Sequence, residues 1–261
     1  MITSESPVLN KAPKVSSGHN MVIEIKNLFM SFGNQEVLKD VSLNLFQGEN
    51  LVILGKSGTG KSVLIKCIVR LLNPDSGSID VFGENVNTLN SPGLGKLRQK
   101  IGFLFQGGAL YDSMTVKQNL EFPLRRIKNK LSSREIENKI EEALENVGLL
   151  DALHKMPSQL SGGMRKRISL ARTIVVDPQI ILYDEPTTGL DPATSNEISV
   201  LINDVQKKYK TSSIIITHDI ACARTTASRV VMLNEGTVYK EGDMETFEKS
   251  DDALIKSFFK A

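Results

Sequence analysis

Apolar and polar positions alternate over 22–29 (VIEIKNLF) and 41–46 (VSLNLF), which predicts two strands with one wet face, joined by a turn at SFGNQE. NLVILG (50–55) is apolar throughout, as a strand buried on both faces is. The period then changes: SVLIKCIVRLL (62–72) has helical spacing, NPDSG (73–77) is turn chemistry and SIDVFG is a further short strand. Beyond it, Ile136, Ile140, Ala143, Leu144 and Val147 form one helical stripe. Ser132 and Glu135 predict its capping box and Gly148 its end. No strand-like run interrupts about 107–163, so this stretch reads as a helical insertion. Buried-strand runs return at QIILYDEP (179–186) and SSIIITHD (212–219), with a helix between them that starts at Asp191-Pro192, Asp as N-cap and Pro at the first helical position. RVVMLNEGTVYKEG closes the series as a strand, a turn and a short strand. Strands alternating with helices predict an α/β fold with a parallel sheet and right-handed crossovers. We find no internal repeat.

Composition narrows the class without naming a function. The 261 residues are 40% hydrophobic and 24% charged, ordinary for a globular chain able to bury a sizeable core. The net charge of +2 is close to balanced, and nothing in the sequence resembles a nucleic-acid-binding domain with one strongly basic face. The short run Arg165-Lys166-Arg167 reads as a solvated helix face or as part of an anion grip. Cys67 and Cys222 lie far apart in apolar or small-residue contexts, which suits core packing in a reducing compartment. No apolar run approaches the roughly 18 to 20 residues of a membrane span. Residues 1–20 lack the apolar middle of a signal peptide and read as a disordered arm, with Met21 opening the first periodic segment. His19 and His154 have no motif around them and are expected in solvated loops.

Two stretches carry candidate phosphate chemistry. GKSGTGKS (55–62) fits the phosphate-loop pattern G-x-x-x-x-G-K-[ST] between a buried strand and a helix. Gly55, Lys56, Ser57, Gly58, Thr59 and Gly60 would wrap backbone N–H groups around the phosphates. Lys61 would reach the β- and γ-phosphates, and Ser62 would offer its hydroxyl to Mg²⁺. At the end of a buried strand, Asp184 and Glu185 form an acidic pair that is costly unless a cation or substrate uses it. Asp184 is expected to hold Mg²⁺ and Glu185 to polarise the attacking water. No Asn-Lys-x-Asp guanine reader is present; NKLS (129–132) lacks the aspartate. The second stretch, LSGGMRKR (160–167), reads as a helix start whose Ser161, Gly162 and Gly163 offer a hydroxyl and N–H groups to an anion. Either the insertion folds over its own phosphate loop, or this turn completes the site of a partner copy. Spacing leaves both open.

In order, GKSGTGKS, LSGGM, IILYDEP, TTGLDP and IIITHD closely resemble the motifs of ABC transporter ATP-binding subunits over about residues 21–245. The resemblance implies a RecA-like P-loop core with an N-terminal antiparallel β subdomain and an inserted α-helical subdomain (about 107–163), and it leaves 246–261 as a tail. It implies ATP and Mg²⁺ as cofactors and a head-to-tail homodimer in which the signature turn of one copy caps the ATP of the other. It gives Gln106 the role of the Q-loop glutamine touching Mg²⁺, Asp191 a place at the dimer seam, and His218 the role of the switch histidine on the γ-phosphate. Phe32 stands where an adenine-stacking tyrosine is usual, with core packing as its alternative. Met164 stands where the signature usually has glutamine, and a thioether makes no strong amide-type hydrogen bond.

FQGGALYDSMTVKQNL (105–120) together with LSGGM-x-[KR]-R resembles the Mla or Mce-associated subgroup. That subgroup implies lipid trafficking between inner and outer membranes, transmembrane permease subunits, an Mce-domain lipid-binding protein, in some members a STAS-domain protein, and a place on the cytoplasmic face of the inner membrane. The alternatives are another transported substrate, a non-transport ABC ATPase, or an ATP-binding module without turnover. In the tail, Phe247, Leu254, Ile255 and Phe258 are expected to pack on a neighbour or on the parent domain.

Overall fold

The computed structural model describes residues 20–127 and 131–259. The arm expected over 1–20, with His19, lies outside the described residues apart from Asn20. Strands β1 (Met21–Phe32) and β2 (Gln35–Phe46) pair antiparallel, from Met21 opposite Phe46 to Phe32 opposite Gln35. The expected turn over 31–36 therefore shrinks to Gly33 and Asn34, and the strands are longer than the alternation suggested. Asp40, at φ 58, and register shifts near Leu28 interrupt the period that pattern reading relies on. With β4 (Ser76–Val81) and β5 (Glu84–Asn85) they form a four-stranded sheet ordered β2-β1-β4-β5.

A second sheet follows the order β10-β9-β3-β8-β7-β6. Its members are β3 (Asn50–Leu54), β6 (Ile101–Leu104), β7 (Ile180–Asp184), β8 (Ser212–Thr217), β9 (Arg229–Asn234) and β10 (Thr237–Gly242). All of its pairings are parallel except that of β9 with β10. Side chains alternate between two cores. Val52, Leu54, Ile181, Tyr183 and Ile215 enter one, while Leu51, Ile53, Ile180, Leu182, Ile214 and Ile216 enter the other. The second core is closed by β1, β2 and β4 with helices α1 (Lys61–Ile68) and α2 (Ser91–Arg98). The first is closed by α3 (Val116–Ile127), α4 (Ser133–Asn146), α5 (Gly162–Ile174), α6 (Pro192–Tyr209) and α7 (Ile220–Thr226).

Local chemistry explains several boundaries. Ser132 and Glu135 make both bonds of a capping box on α4: the Glu135 amide donates to Ser132 Oγ (3.3 Å), and the Ser132 amide donates to Glu135 Oε2 (2.7 Å). The Asp191 carboxylate caps α6 by accepting from the Thr194 amide at 3.0 Å. Helix α1 ends at Ile68, short of the predicted Leu72, because the chain turns at Arg70, which adopts φ 49. Helix α2 and strand β6 carry too short an apolar signature to stand out in the sequence. Between β6 and β7 the described residues contain no strand. At the C-terminal end, α8 (Met244–Glu248) and α9 (Ala253–Phe259) bring Phe247 and Ile255 into the first core, with Leu254 and Phe258 packed against it. Of the two neighbours open to this segment, the parent fold is the one it packs on. Cys67 and Cys222 are buried in the two cores, and His154 is exposed in a turn.

Candidate functional site

Parallel strands place their C-terminal ends on one edge of the sheet, and the candidate residues gather there. The phosphate loop follows β3, Gln106 follows β6, Glu185 follows β7 and His218 follows β8. A cleft of about 310 Å³ is lined by Ser57, Gly58, Gly60, Lys61, Ser62, Gln106, Glu185 and His218, with Val37 and Val63. The loop is shaped by glycine where space demands it. Gly60 has φ +93, and a Cβ there would lie 2.7 Å from Leu38 Cδ2. Residues 56–58 are exposed, whereas Gly55 and Gly60 are buried and Thr59 is half-buried.

Lys61 is buried at the start of α1. Its Nζ donates to the carbonyls of Gly55 (2.7 Å) and Lys56 (3.0 Å) and lies 3.7 Å from Glu185 Oε1. Burial pulls its pKa down, against the attraction of Glu185 and Asp184. Ser62 Oγ donates to Asp184 Oδ1 at 2.8 Å, so the hydroxyl and the carboxylate expected at Mg²⁺ are already adjacent. Two hard oxygen donors of this kind suit Mg²⁺. Burial raises the Asp184 pKa above the usual carboxylate range, with the Ser62 bond and the nearby Lys66 opposing it.

Glu185 has φ +50, a left-handed conformation uncommon for a residue with a side chain. Its amide donates to the Ile216 carbonyl at 3.0 Å, which ties it to β8. Its Oε2 accepts from Thr188 Oγ1 (3.1 Å) and lies 2.8 Å from His218 Nδ1. A carboxylate only accepts, so Nδ1 carries the proton of that bond. The imidazole is half exposed, and beside it lies a larger cleft of about 480 Å³ lined by 187–190, the first turns of α6 and α7, and His218 itself.

The other predicted residues lie elsewhere. Ser161 is the N-cap of α5 and accepts from the Met164 amide at 3.2 Å, which bears out the helix start read from LSGGM. Ser161, Gly162 and Gly163 do not line the phosphate-loop cleft of their own chain. Gly163 has a packing reason as well, because a Cβ there would meet Thr194 Cγ2 at 2.6 Å. Asp191 is tied up in capping α6, and the Thr194 bonds hold its carboxyl below the usual range. Phe32 is 48% exposed at the end of β1, so it does not serve as core packing. Lys166 overturns the solvated reading of the basic run. It is buried, and its Nζ donates to the carbonyls of Gln106 (2.5 Å) and Glu185 (3.4 Å). Of the three, Arg165 alone is exposed, since Arg167 is half-buried, donates to the Val147 carbonyl and pairs with Glu197. The sequence held one signal for Lys166: at helical spacing it shares a face with Ser169 and Leu170, which are buried.

A parallel sheet with a phosphate loop, a strand-end acidic pair and a histidine along one edge defines a P-loop nucleotide hydrolase. The ABC transporter family profile matches residues 38–188. The chain is 41% identical over 238 residues to the probable ribonucleotide transport ATP-binding protein mkl of Mycobacterium leprae, covering 91% of this chain and 68% of that protein. It is 36% identical over 241 residues to the methionine import ATP-binding protein MetN of Brucella abortus, covering 92% of this chain and 63% of that one. Its fold superposes with a TM-score of 0.77 on a dimeric, post-hydrolysis structure of the ATP-binding cassette MJ0796 bound to ADP and Pi, at 33% identity and covering 85% and 98% of the two chains. The chain belongs to the ABC transporter family as an ATP-binding subunit, an ATPase with ATP and Mg²⁺ as its cofactors.

Proposed function

We propose that two copies pack head to tail, each giving its phosphate loop, acidic pair and His218 to one ATP and its Ser161-Gly162-Gly163 turn to the other. The observation that carries this reading is that the turn caps a helix without lining the phosphate-loop cleft of its own chain. The dimeric cassette of similar fold supports it. Residues 55–60 cradle the phosphates with backbone N–H groups, Lys61 meets the β- and γ-phosphates, and Phe32 offers its exposed ring to the adenine. Asp191 lies at the seam. Ser62 and Asp184, with Gln106, hold Mg²⁺, which when bound offsets the charge of the triphosphate. Glu185 orients the attacking water and accepts its proton. His218, held by Glu185, faces the γ-phosphate. Catalysis then rests on positioning and charge, as in other P-loop hydrolases.

The ATPase serves transmembrane permease subunits and sits peripherally on the cytoplasmic face of the inner membrane. Among the described residues no helix is long and apolar enough to cross a membrane. The domain limits follow the same reading: the cassette spans 21–245, its helical subdomain about 107–163, and 246–261 form a tail. Residues 105–120, which resemble the Mla or Mce-associated subgroup, favour a permease that moves phospholipid with an Mce-domain protein and, in some assemblies, a STAS-domain protein. The two relatives, a probable ribonucleotide transport protein and a methionine import protein, favour a second reading, a nucleotide or amino-acid substrate. Purification from native membranes with the bound subunits and lipids identified separates the two. A permease with an Mce protein and phospholipid is expected, and a methionine or nucleotide permease overturns the lipid assignment while leaving the ATPase intact.

A further inference from the structure

We propose that Lys166 is a positioning residue for Glu185, holding the hydrolytic carboxylate and the Q-loop in one arrangement from the signature helix of the same chain. This rests on the reading of Glu185 as the residue that acts on water. The Lys166 ammonium bridges two backbone carbonyls from different loops, Gln106 at 2.5 Å and Glu185 at 3.4 Å. A lysine head with 8% of the residue exposed is costly to bury unless its donors and charge are used. Here the donors meet carbonyls, and the charge lies in the field of Asp184 and Glu185.

The bond to Glu185 falls on a strained residue. At φ +50 its backbone occupies a region that costs a side-chain-bearing residue free energy unless its surroundings fix it. Three contacts to its backbone do so: the Glu185 amide donates to the Ile216 carbonyl on β8, and the Glu185 carbonyl accepts from the Thr188 amide (3.3 Å) and from the Lys166 ammonium. Removing the Lys166 bond leaves the Glu185 carbonyl to the Thr188 amide within its own turn and takes away its tie to α5, so Glu185 can relax toward ordinary φ and swing its carboxylate away from His218. The same ammonium fixes the carbonyl of Gln106, so the Q-loop and the carboxylate report to one atom. Helix α5 begins at the Ser161 turn, and Lys166 lies little more than one helical turn further on. One rigid element thus joins the partner's ATP to the Glu185 of its own chain.

The test compares Lys166→Met, which keeps an apolar stem but removes donors and charge, with Lys166→Arg, which keeps both. In steady-state ATP hydrolysis the Met variant is expected to lose at least tenfold in kcat with the KM for ATP within threefold of the parent. The Arg variant is expected to recover to within about threefold. A Met variant with kcat within twofold of the parent overturns the proposal. So does a loss carried mainly by KM, or an Arg variant that folds yet stays as slow as Met. If Lys166→Met fails to fold, Lys166→Gln is read against the same limits. A double variant separates this proposal from the one beneath it. Added to Glu185→Gln, Lys166→Met should lower the residual turnover by less than twofold, whereas a further tenfold loss would show that Lys166 acts elsewhere. If Glu185→Gln alone hydrolyses ATP at the parental rate, it is the role of Glu185 that fails, whatever Lys166 does.

Discussion

Replacing Glu185 with Gln separates chemistry from folding, and the structure sets the size of both effects. The carboxylate accepts from Thr188 Oγ1 at 3.1 Å, lies 2.8 Å from His218 Nδ1 and sits 3.7 Å from the Lys61 ammonium. The amide of Gln keeps an acceptor oxygen for His218, and the Thr188 hydroxyl can turn to accept from the amide nitrogen. Lys61 keeps its bonds to the Gly55 and Lys56 carbonyls. The loss to the fold is therefore that of weakened charge-assisted contacts, about 1–2 kcal/mol. The loss to turnover is that of a general base, about 10²–10⁴ in rate, which is about 3–5 kcal/mol of barrier. Removing one negative charge beside the triphosphate leaves ATP affinity unchanged or tighter. The assay is phosphate release at saturating ATP and Mg²⁺, with the ATP Kd measured by titration and stability by urea unfolding. A kcat within threefold of the parent, in a folded variant, would refute the assignment of Glu185.

Asn119 is fully buried and holds the 111–115 loop: its Oδ1 accepts from the Tyr111 amide (2.8 Å), and its Nδ2 donates to the carbonyls of Tyr111, Met114 and Thr115 (each 3.1 Å). The Tyr111 and Thr115 carbonyls keep backbone partners, the Met114 and Asn119 amides, but Asn119→Ala takes the side-chain partner from the Tyr111 amide and the Met114 carbonyl and should cost about 2–4 kcal/mol in urea unfolding; a cost under about 0.5 kcal/mol would show that water replaces the amide. The raised pKa of Asp184 gives a pH dependence. Its folded state binds a proton more tightly than the unfolded chain does, so the nucleotide-free fold loses stability as pH rises from the usual carboxylate value through the raised one. Asp184→Asn should remove that slope and stabilise the nucleotide-free chain at neutral pH while abolishing turnover. An unchanged slope would contradict the assignment of this pH dependence to Asp184.

Much of this site was legible because its signals are local. The phosphate loop lies between a wholly apolar strand and a helix, and Asp184-Glu185 end another such strand, so the hydrophobic pattern placed both at strand ends. The caps at Ser132 and Asp191 were readable because a cap is a bond between neighbours along the chain. What escaped was set by distant contacts. Lys166 reads as one charge of a basic run, yet the loops that bury it and take its bonds come from residues 106 and 185. The extent of β1 and β2 escaped as well, since bulges and a left-handed Asp40 break the alternation. The phospholipid assignment rests on a segment whose meaning depends on its partner, and no intrachain contact supplies that.

The central claim is that each hydrolytic site is assembled from two copies, and complementation between two singly defective chains tests it most directly. In a Glu185→Gln background, one chain carries Lys61→Ala and the other Ser161→Glu. Head-to-tail packing leaves a mixed pair with one intact site, formed by the phosphate loop of the second chain and the serine turn of the first. The mixture should then retain ATP through gel filtration while neither chain alone does. A mixture of folded chains that retains no more ATP than its components would contradict the account.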